Sequence, residues 1–561
     1  MKQIPIIVGA GGINAAGRTS GHHGYKRLVL PQLSSADAES TLQDLAVRMG
    51  IEADQRATQA ATHARILAGT LVRDISDELP WVAQRNVRTA ALMPRGFNPG
   101  TRYPSRHHPS GLQMMVYAMA DALASLGLPW QQICEHVKPD EISVYAGSSI
   151  GQVDAASMTS LVQQSTACGR VNARLLPLSF PDMPADFING YMLHSIGQTG
   201  AALGACASFL YNLQRGVQDI QSGRARIAII GGAEAPVEPP VLDGFASMGA
   251  LATIDRLPVN ADGSPDHRRA CRPFGDSAGF VLGESAQVLI LMADTLALEF
   301  GANVLGMVAD VYVHADGAKK SITAPGIGNY VTMLKAASLA RALLGDGAVR
   351  RICVHAHGTG TPLNCTTESR ILESVSDLLD GARLTVTSIK HLVGHSLGVA
   401  AGDQIAVALG AWQYGWIPGI NTIGELADHV NCRRLDVLTE PRETGDIDIA
   451  IVNAKGFGGN NASAVIVSPE ATLGYLKERH GANTFATFRH RRESTLYRIA
   501  DSDAKACRGE ETIPFAVHHG REDHERVHIE RGVVHVDGYA LPITLPDGRA
   551  LIDYLHGADG L

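Results

Sequence analysis

The chain has 561 residues, 45% of them hydrophobic and only 5% aromatic, with a formal charge of -8. Such a length buries a large core of small aliphatic side chains and exceeds one simple domain. The net negative charge, without a basic block, argues against a nucleic-acid or anionic-membrane surface, and no apolar run is long enough to span a bilayer. The eight cysteines are scattered with no CxxC pair, so neither a disulfide framework nor a zinc site is indicated, and reduced thiols predict a cytoplasmic protein.

The opening apolar stretch is interrupted by Pro5 and by glycines, which argues against a signal peptide. Ile4 to Val8 reads as a buried strand, and Gly9 to Asn14 as a tight strand-to-helix turn. That turn nearly matches a dinucleotide fingerprint but fails, because Asn14 stands where the third glycine belongs. Ser34 to Asp77 carries two amphipathic helical patterns, and Asn86 to Pro109 is rich in Pro, Arg and His; together they read as an insertion over the core, at about residues 18–110. Gly111 to Leu126 predicts a helix, Glu141 to Ala146 a strand, and the prolines between Leu176 and Phe187 predict a loop.

Cys206 stands where a Gly/Ala-rich turn meets an apolar periodic run. Leu210, Leu213, Val217 and Ile220 recur at helical spacing, and Ser222-Gly223 supplies a stop. The expectation is that Cys206 opens a buried helix, where free amides and the helix dipole favour a thiolate. A strand at Ile227 to Ile230 and two more between Ala278 and Leu291 complete an alternating α/β pattern over residues 1–295.

Residues 296–468 repeat this plan. Strands are expected at Arg351 to Val354, Leu384 to Ser388 and Asp448 to Asn453, with helices at Thr366 to Leu379 and within GHSLGVAAGDQIAVALGAW. Functional-looking residues sit at strand ends or helix starts in both parts, so duplicated halves facing one cleft would bring them together. His357 follows a strand within HAHGTGTPLN, Lys390 and His395 flank a strand-to-helix turn, and KGFGGNN is a glycine loop carrying Phe457. His355 and His357 share a strand face if the strand continues, but no further ligand follows at metal spacing, so neither a metal nor a cofactor is expected.

The ordered set GACAS, GGAEA, RPF with GFVLGE, HAHGTGTPLN, IKHLVGH and GFGGNNAS resembles the β-ketoacyl-acyl carrier protein synthases, from Gly111 to Ser468. The start IIVGAGGINAAGR, the insertion and KGFGGNN resemble its divergent FabY-type branch, associated with starting fatty-acid synthesis. The resemblance implies a thiolase-like α/β fold: two duplicated mixed-sheet halves in an α-β-α-β-α sandwich, with the helical insertion and a C-terminal extension at 469–561. It also implies a decarboxylative Claisen condensation in which Cys206 carries the acyl group, while His357 and His395 meet the enolate. Lys390 and Glu368 would support that pocket. The amides of Cys206 and Phe457 would form the oxyanion hole, with Phe457 as gate and Gly458 and Gly459 in its loop. Thr359 and Thr361 would hold the pantetheine arm. A homodimer, acyl carrier protein as partner, and acetyl-CoA and malonyl-acyl carrier protein as substrates follow from the same resemblance.

Two departures bear on this. Many relatives carry a second phenylalanine where Lys455 stands, and a helix glutamate where this chain has Asp403-Gln404. Lys319 and Lys320, in DGAKKSITAP, could meet an acidic carrier or simply be solvated.

Other readings use different residues. GHSLG and GSSIG fit G-x-S-x-G, which would make Ser396 or Ser149 the nucleophile of an acyltransferase or hydrolase, but that reading leaves Cys206, His357 and GFGG unused. A silent synthase-like subunit would lack the nucleophile that is present here, and a chain-elongating or polyketide-type synthase remains the alternative within the family. In the extension, the segment from Val527 onward predicts a small hairpin with DG turns. His518, His519, His524, His528 and His535 lack accompanying cysteines and read as surface.

Overall fold

The computed structural model describes residues 2–51, 59–321, 324–517 and 526–547. The first half contains β1 (Pro5–Asn14), α1 (Ser110–Leu126), β2 (Ile142–Gly147), β3 (Thr199–Gly200), α2 (Ser208–Ser222), β4 (Ile227–Glu234) and β5 (Ser285–Ala293). The second contains β6 (Gly306–Ala315), α3 (Gly328–Leu344), β7 (Ile352–His355), α4 (Pro362–Leu378), β8 (Leu384–Thr387), α5 (Ala400–Tyr414), β9 (Ile449–Gly456) and β10 (Asn460–Val467).

The duplication is visible in the strand order. The first half runs β3-β2-β4-β5-β1 and the second β8-β7-β9-β10-β6, with the same senses: the first three strands of each are parallel and the remaining pairings antiparallel. The halves join where β1 pairs with β6, at Ile6 with Met307 and Ile7 with Gly306. Helices α2 and α5 occupy the same place in each half, touch one another, and pack against strands of both halves; α1 and α3 cover the outer faces. Strands buried on both faces carry continuous apolar runs, as β4 does over Ile227–Ile230 and β5 over Val288–Ala293, and both strands are buried throughout their length.

Three expectations about local structure change. Gly9 to Asn14 is no turn: β1 runs unbroken to Asn14 and pairs with β5 along its length. The glycines serve close packing instead, since a Cβ on Gly11 would lie 2.0 Å from the amide nitrogen of Ala122 in α1. The expected loop at 176–187 contains short helices at Leu175–Leu178 and Met183–Ile188; Pro184 is tolerated because it occupies the first turn. Helix α2 begins at Ser208, two residues after Cys206, and ends as expected at Gly223, whose φ is +77°.

The insertion contributes helices Ser35–Arg48 and Gln59–Ala68 and a small sheet in which Arg73–Asp74 pairs with Thr89–Ala91, itself parallel to Leu282–Gly283. In the extension, α6 (Pro469–His480) and α7 (Ala482–Ala506) lie along the core, with α7 against α1. Val527–Glu530 and Val533–Val536 form the hairpin, turning at Arg531-Gly532, and Asp537-Gly538 leads to a third strand at Ile543–Thr544. His528 and His535 face each other there and both approach Glu530; His518, His519 and His524 lie outside the described residues. No described helix is long and apolar enough to cross a membrane.

Candidate active site

The duplicated topology sets the site. Cys206 precedes α2 and His395 precedes α5, so the two occupy equivalent turns of the two halves. The turn before α2 is tight: Ala205 has φ +49°, and Cys206 is buried at 6% exposure. His357 follows β7, and Lys455 lies beside it one residue before the end of β9. Cys206, His357, His395, Lys455 and Phe457 line one cavity of about 680 Å³, whose wall also includes Thr359, Thr361, Phe280 and Lys319. The hydroxyls of Thr359 and Thr361 lie 3.2 Å apart.

His357 is held on several sides. Its ring stands 5.4 Å from that of His395, nearly perpendicular. The Lys455 amide donates to its Nδ1 at 3.3 Å, and Lys390 Nζ approaches the same nitrogen at 3.5 Å while also donating to the His357 carbonyl. With Nδ1 accepting, the neutral ring carries its proton on Nε2. Burial, then the positive charge of Lys390, holds both His357 and His395 well below the usual histidine range, so both are neutral at physiological pH. His395 is fixed through its backbone, donating to Val281 O at 2.7 Å and accepting from Gly283 at 3.1 Å, and Phe280 packs edge-on to its ring.

Glu368, on α4, accepts from the amides of His357 (2.7 Å) and Gly358 (2.8 Å) and from the side chains of Asn364 (2.9 Å) and Asn453 (2.8 Å). It therefore organises the HGTG turn from behind. Asn453 also receives a bond from Asn329. No motif in the sequence gives Asn453, Asn364 or Phe280 a role; the signal it does carry is an asparagine within the apolar strand IAIVNAKG, because such a buried amide must find partners.

Burial pushes the Cys206 thiol up to about 12, against the opposing pull of Lys390 and a hydrogen bond from the Phe457 backbone. This corrects the expected thiolate: Cys206 lies two residues outside α2 in an apolar surround, so desolvation outweighs the dipole. The contact with Phe457 requires glycine at 456, since a Cβ there would lie 2.1 Å from Gly204 O and 3.1 Å from the Cys206 nitrogen. Gly458 and Gly459 take φ +87° and +95°, which only glycine adopts without strain. Phe457 is 37% exposed and stacks on Phe245.

The rival nucleophiles are committed elsewhere. Ser396 is fully buried and donates to Asp403 at 2.6 Å, while Ser149 donates to Glu234 at 2.5 Å; neither lines the cavity. Strand β7 stops at His355, so His355 and His357 do not continue on one strand face, and His355 stays outside the cavity lining. At the position of the absent helix glutamate, Asp403 is held by Asn14, Ser285, Gln287 and Ser396, and Gln404 donates to the carbonyls of His355 and Ala356. Lys319 pairs with Asp316 at 3.6 Å, and Lys320 is exposed.

The sequence and the fold both have known relatives. Residues 108–297 match the family described as Beta-ketoacyl synthase, N-terminal domain, and residues 305–423 its C-terminal domain. Beta-ketoacyl-[acyl-carrier-protein] synthase FabY of Pseudomonas aeruginosa is 38% identical, with 99% of this chain and 100% of the relative covered. 3-Oxoacyl-[acyl-carrier-protein] synthase 2 of Staphylococcus aureus is 30% identical over 59% of this chain and 76% of its own length. The crystal structure of the noncanonical ketosynthase FabY from P. aeruginosa superposes with a TM-score of 0.93 at 37% identity, covering 98% of this chain and 99% of that one. A β-ketoacyl synthase from Burkholderia phymatum shares the fold, with a TM-score of 0.64 at 23% identity, over 83% of this chain and 100% of that one. The chain belongs to the β-ketoacyl-acyl carrier protein synthase family, resembling its FabY-type members along nearly its whole length.

Proposed function

We propose that the protein is a 3-oxoacyl-[acyl-carrier-protein] synthase of fatty-acid biosynthesis that condenses a short acyl primer, acetyl-CoA, with malonyl-acyl carrier protein through an acyl-Cys206 intermediate. The single observation that carries this is the common cavity of Cys206, His357 and His395, three residues drawn from separated parts of the chain. Acyl transfer forms a thioester bond at the Cys206 sulfur and breaks that of the acyl-CoA; the thiol proton goes to the departing coenzyme thiolate. The Cys206 and Phe457 amides are the donors for the carbonyl oxygen as it becomes negative.

The malonyl thioester then loses carbon dioxide, and the electron pair of the broken C–C bond becomes an enolate. The Nε2–H of His357, fixed by its acceptor role at Nδ1, meets the enolate oxygen together with His395. The carbanion attacks the acyl carbonyl, the C–S bond breaks, and the Cys206 thiolate regains a proton from solvent. Lys390 supplies positive charge to both the sulfur and the imidazole, and Glu368 holds the turn that carries His357. Thr359 and Thr361 take the pantetheine arm at the mouth, with Phe457 as the gate.

A cytoplasmic homodimer is part of the same reading. Its support is the outer edge of β3, which ends the sheet among the described strands and is flanked by exposed Ile196 and Leu203. Exposed Lys320, near the cavity mouth, suits an acidic carrier. The test is mass labelling with acetyl-CoA: the acetyl group should travel with the peptide holding Cys206, and Cys206→Ala should abolish both label and condensation. A label on Ser396 or Ser149 would sink the assignment. Rejection of acetyl-CoA beside ready use of long acyl carriers would leave the condensation standing and favour chain elongation.

A further inference from the structure

The cavity beside Cys206 is open on one side and filled on the other. Its polar side carries Thr359, Thr361 and Lys319, whereas none of the residues lining it comes from the insertion. Away from that polar side, Cys206 is a member of one contiguous apolar cluster with Ile75, Val87 and Leu92 of the insertion and with Leu242 and Leu397 of the core. All five of these side chains are buried, Ile75 completely. An acyl group delivered by an arm that occupies the open side must extend its tail toward the closed side. The insertion therefore stands where the tail would go.

The wall is built to stay in place. Arg73, itself buried, donates to the carbonyls of Leu71 (3.1 Å), Leu92 (3.1 Å) and Met93 (2.9 Å) and to both oxygens of Glu78, locking the Ile75 and Leu92 segments together. Thr89–Ala91 pairs with Leu282–Gly283, and Leu282 is bridged in turn to His395. The amide of Val72 donates to Leu392 O at 2.8 Å, and that of Glu284 to Ala91 O at 2.9 Å. Moving the wall to admit a longer tail would break backbone bonds to the histidine turn. Packed interiors resist even one extra methylene.

We infer that the insertion is the chain-length stop of the acyl chamber, with Ile75, Val87 and Leu92 restricting the primer on Cys206 to a short acyl group. This rests on the acyl-Cys206 reading above. The test uses the full-length enzyme and the rates at which acetyl-, butanoyl-, hexanoyl- and octanoyl-CoA load Cys206, followed by intact mass. Wild type should load acetyl faster than octanoyl by about 100-fold, the scale on which a filled pocket rejects added methylenes. Leu92→Ala and Ile75→Ala should raise the octanoyl-to-acetyl ratio about tenfold, and the milder Leu92→Val and Ile75→Val, which keep the fold, about threefold. Equal loading of octanoyl and acetyl by wild type would overturn the stop alone, as would folded variants with an unchanged ratio. Failure of every acyl-CoA to label Cys206 would overturn the acyl-enzyme reading and this inference with it.

Discussion

The backbone amide of Lys455 donates to Nδ1 of His357 across 3.3 Å, so the C-terminal part of β9 sets the tautomer of a ring in the turn that follows β7. A neutral imidazole with Nδ1 occupied presents Nε2–H to the cavity, as enolate stabilisation requires. His357→Ala should therefore lower carbon dioxide release from malonyl thioester by about 10²- to 10³-fold while leaving acetyl loading on Cys206 nearly intact. Separate assays of loading and decarboxylation check this; equal loss in both would contradict the assigned role.

Gly456 is the only residue type its position accepts, because a Cβ would lie 2.1 Å from Gly204 O. Gly456→Ala should push the gate loop away from Cys206 and cost about 100-fold in acyl transfer, the usual penalty for a misplacement of about 1 Å. The melting temperature should fall as well, since the clash is with backbone at the paired end of β9, but Gly456→Ala should lose acyl transfer even where it remains folded. Rapid-quench measurement of acetyl loading decides the matter.

Burial lowers Lys390 to about 8, against the raising influence of Glu368. Below that pH it is an ammonium facing the sulfur and His357, and above it the charge is lost. Condensation should fall as pH rises through about 8, and Lys390→Met should be slow at every pH and lack that limb. A pH profile of kcat for both enzymes is the measurement.

Ser396 donates to Asp403, which has four side-chain donors in all, so Ser396→Ala should cost about 1–3 kcal/mol of stability by leaving that buried carboxyl short of one partner. The acyl label should still appear on Cys206. Denaturant unfolding and peptide mass mapping read the two outcomes independently.

The C-terminal helix is tied in through Arg18, which is buried and meets Asp44 (2.9 Å), Asp121 (3.5 Å) and Asp503 (2.6 Å) from three different segments. Arg18→Ala leaves those carboxylates without their shared cation and should destabilise the protein by about 3–5 kcal/mol. Chemical denaturation tests it. His23, Asp44 and Cys507 cluster at the same place, where the guanidinium of Arg18 already supplies the positive charge.

Local patterns in the sequence determined most of the strands and long helices, because burial on both faces writes continuous apolar runs such as those of β4, β5 and β9. They also singled out Cys206, His357, Lys390, His395 and Phe457 as candidates, since small residues and glycines at strand ends leave room for a ligand, whereas Glu368 came only from the family resemblance. Only the tertiary structure decided what depended on partners distant in sequence. Gly11 had to be seen against α1 before the first turn could be recognised as strand, and desolvation around Cys206 outweighed the dipole that its place in the chain suggested. The closure of the chamber by Ile75 and Leu92 is of the same kind: neither carries a mark of function, and the space they fill exists only once the insertion is folded beside His395.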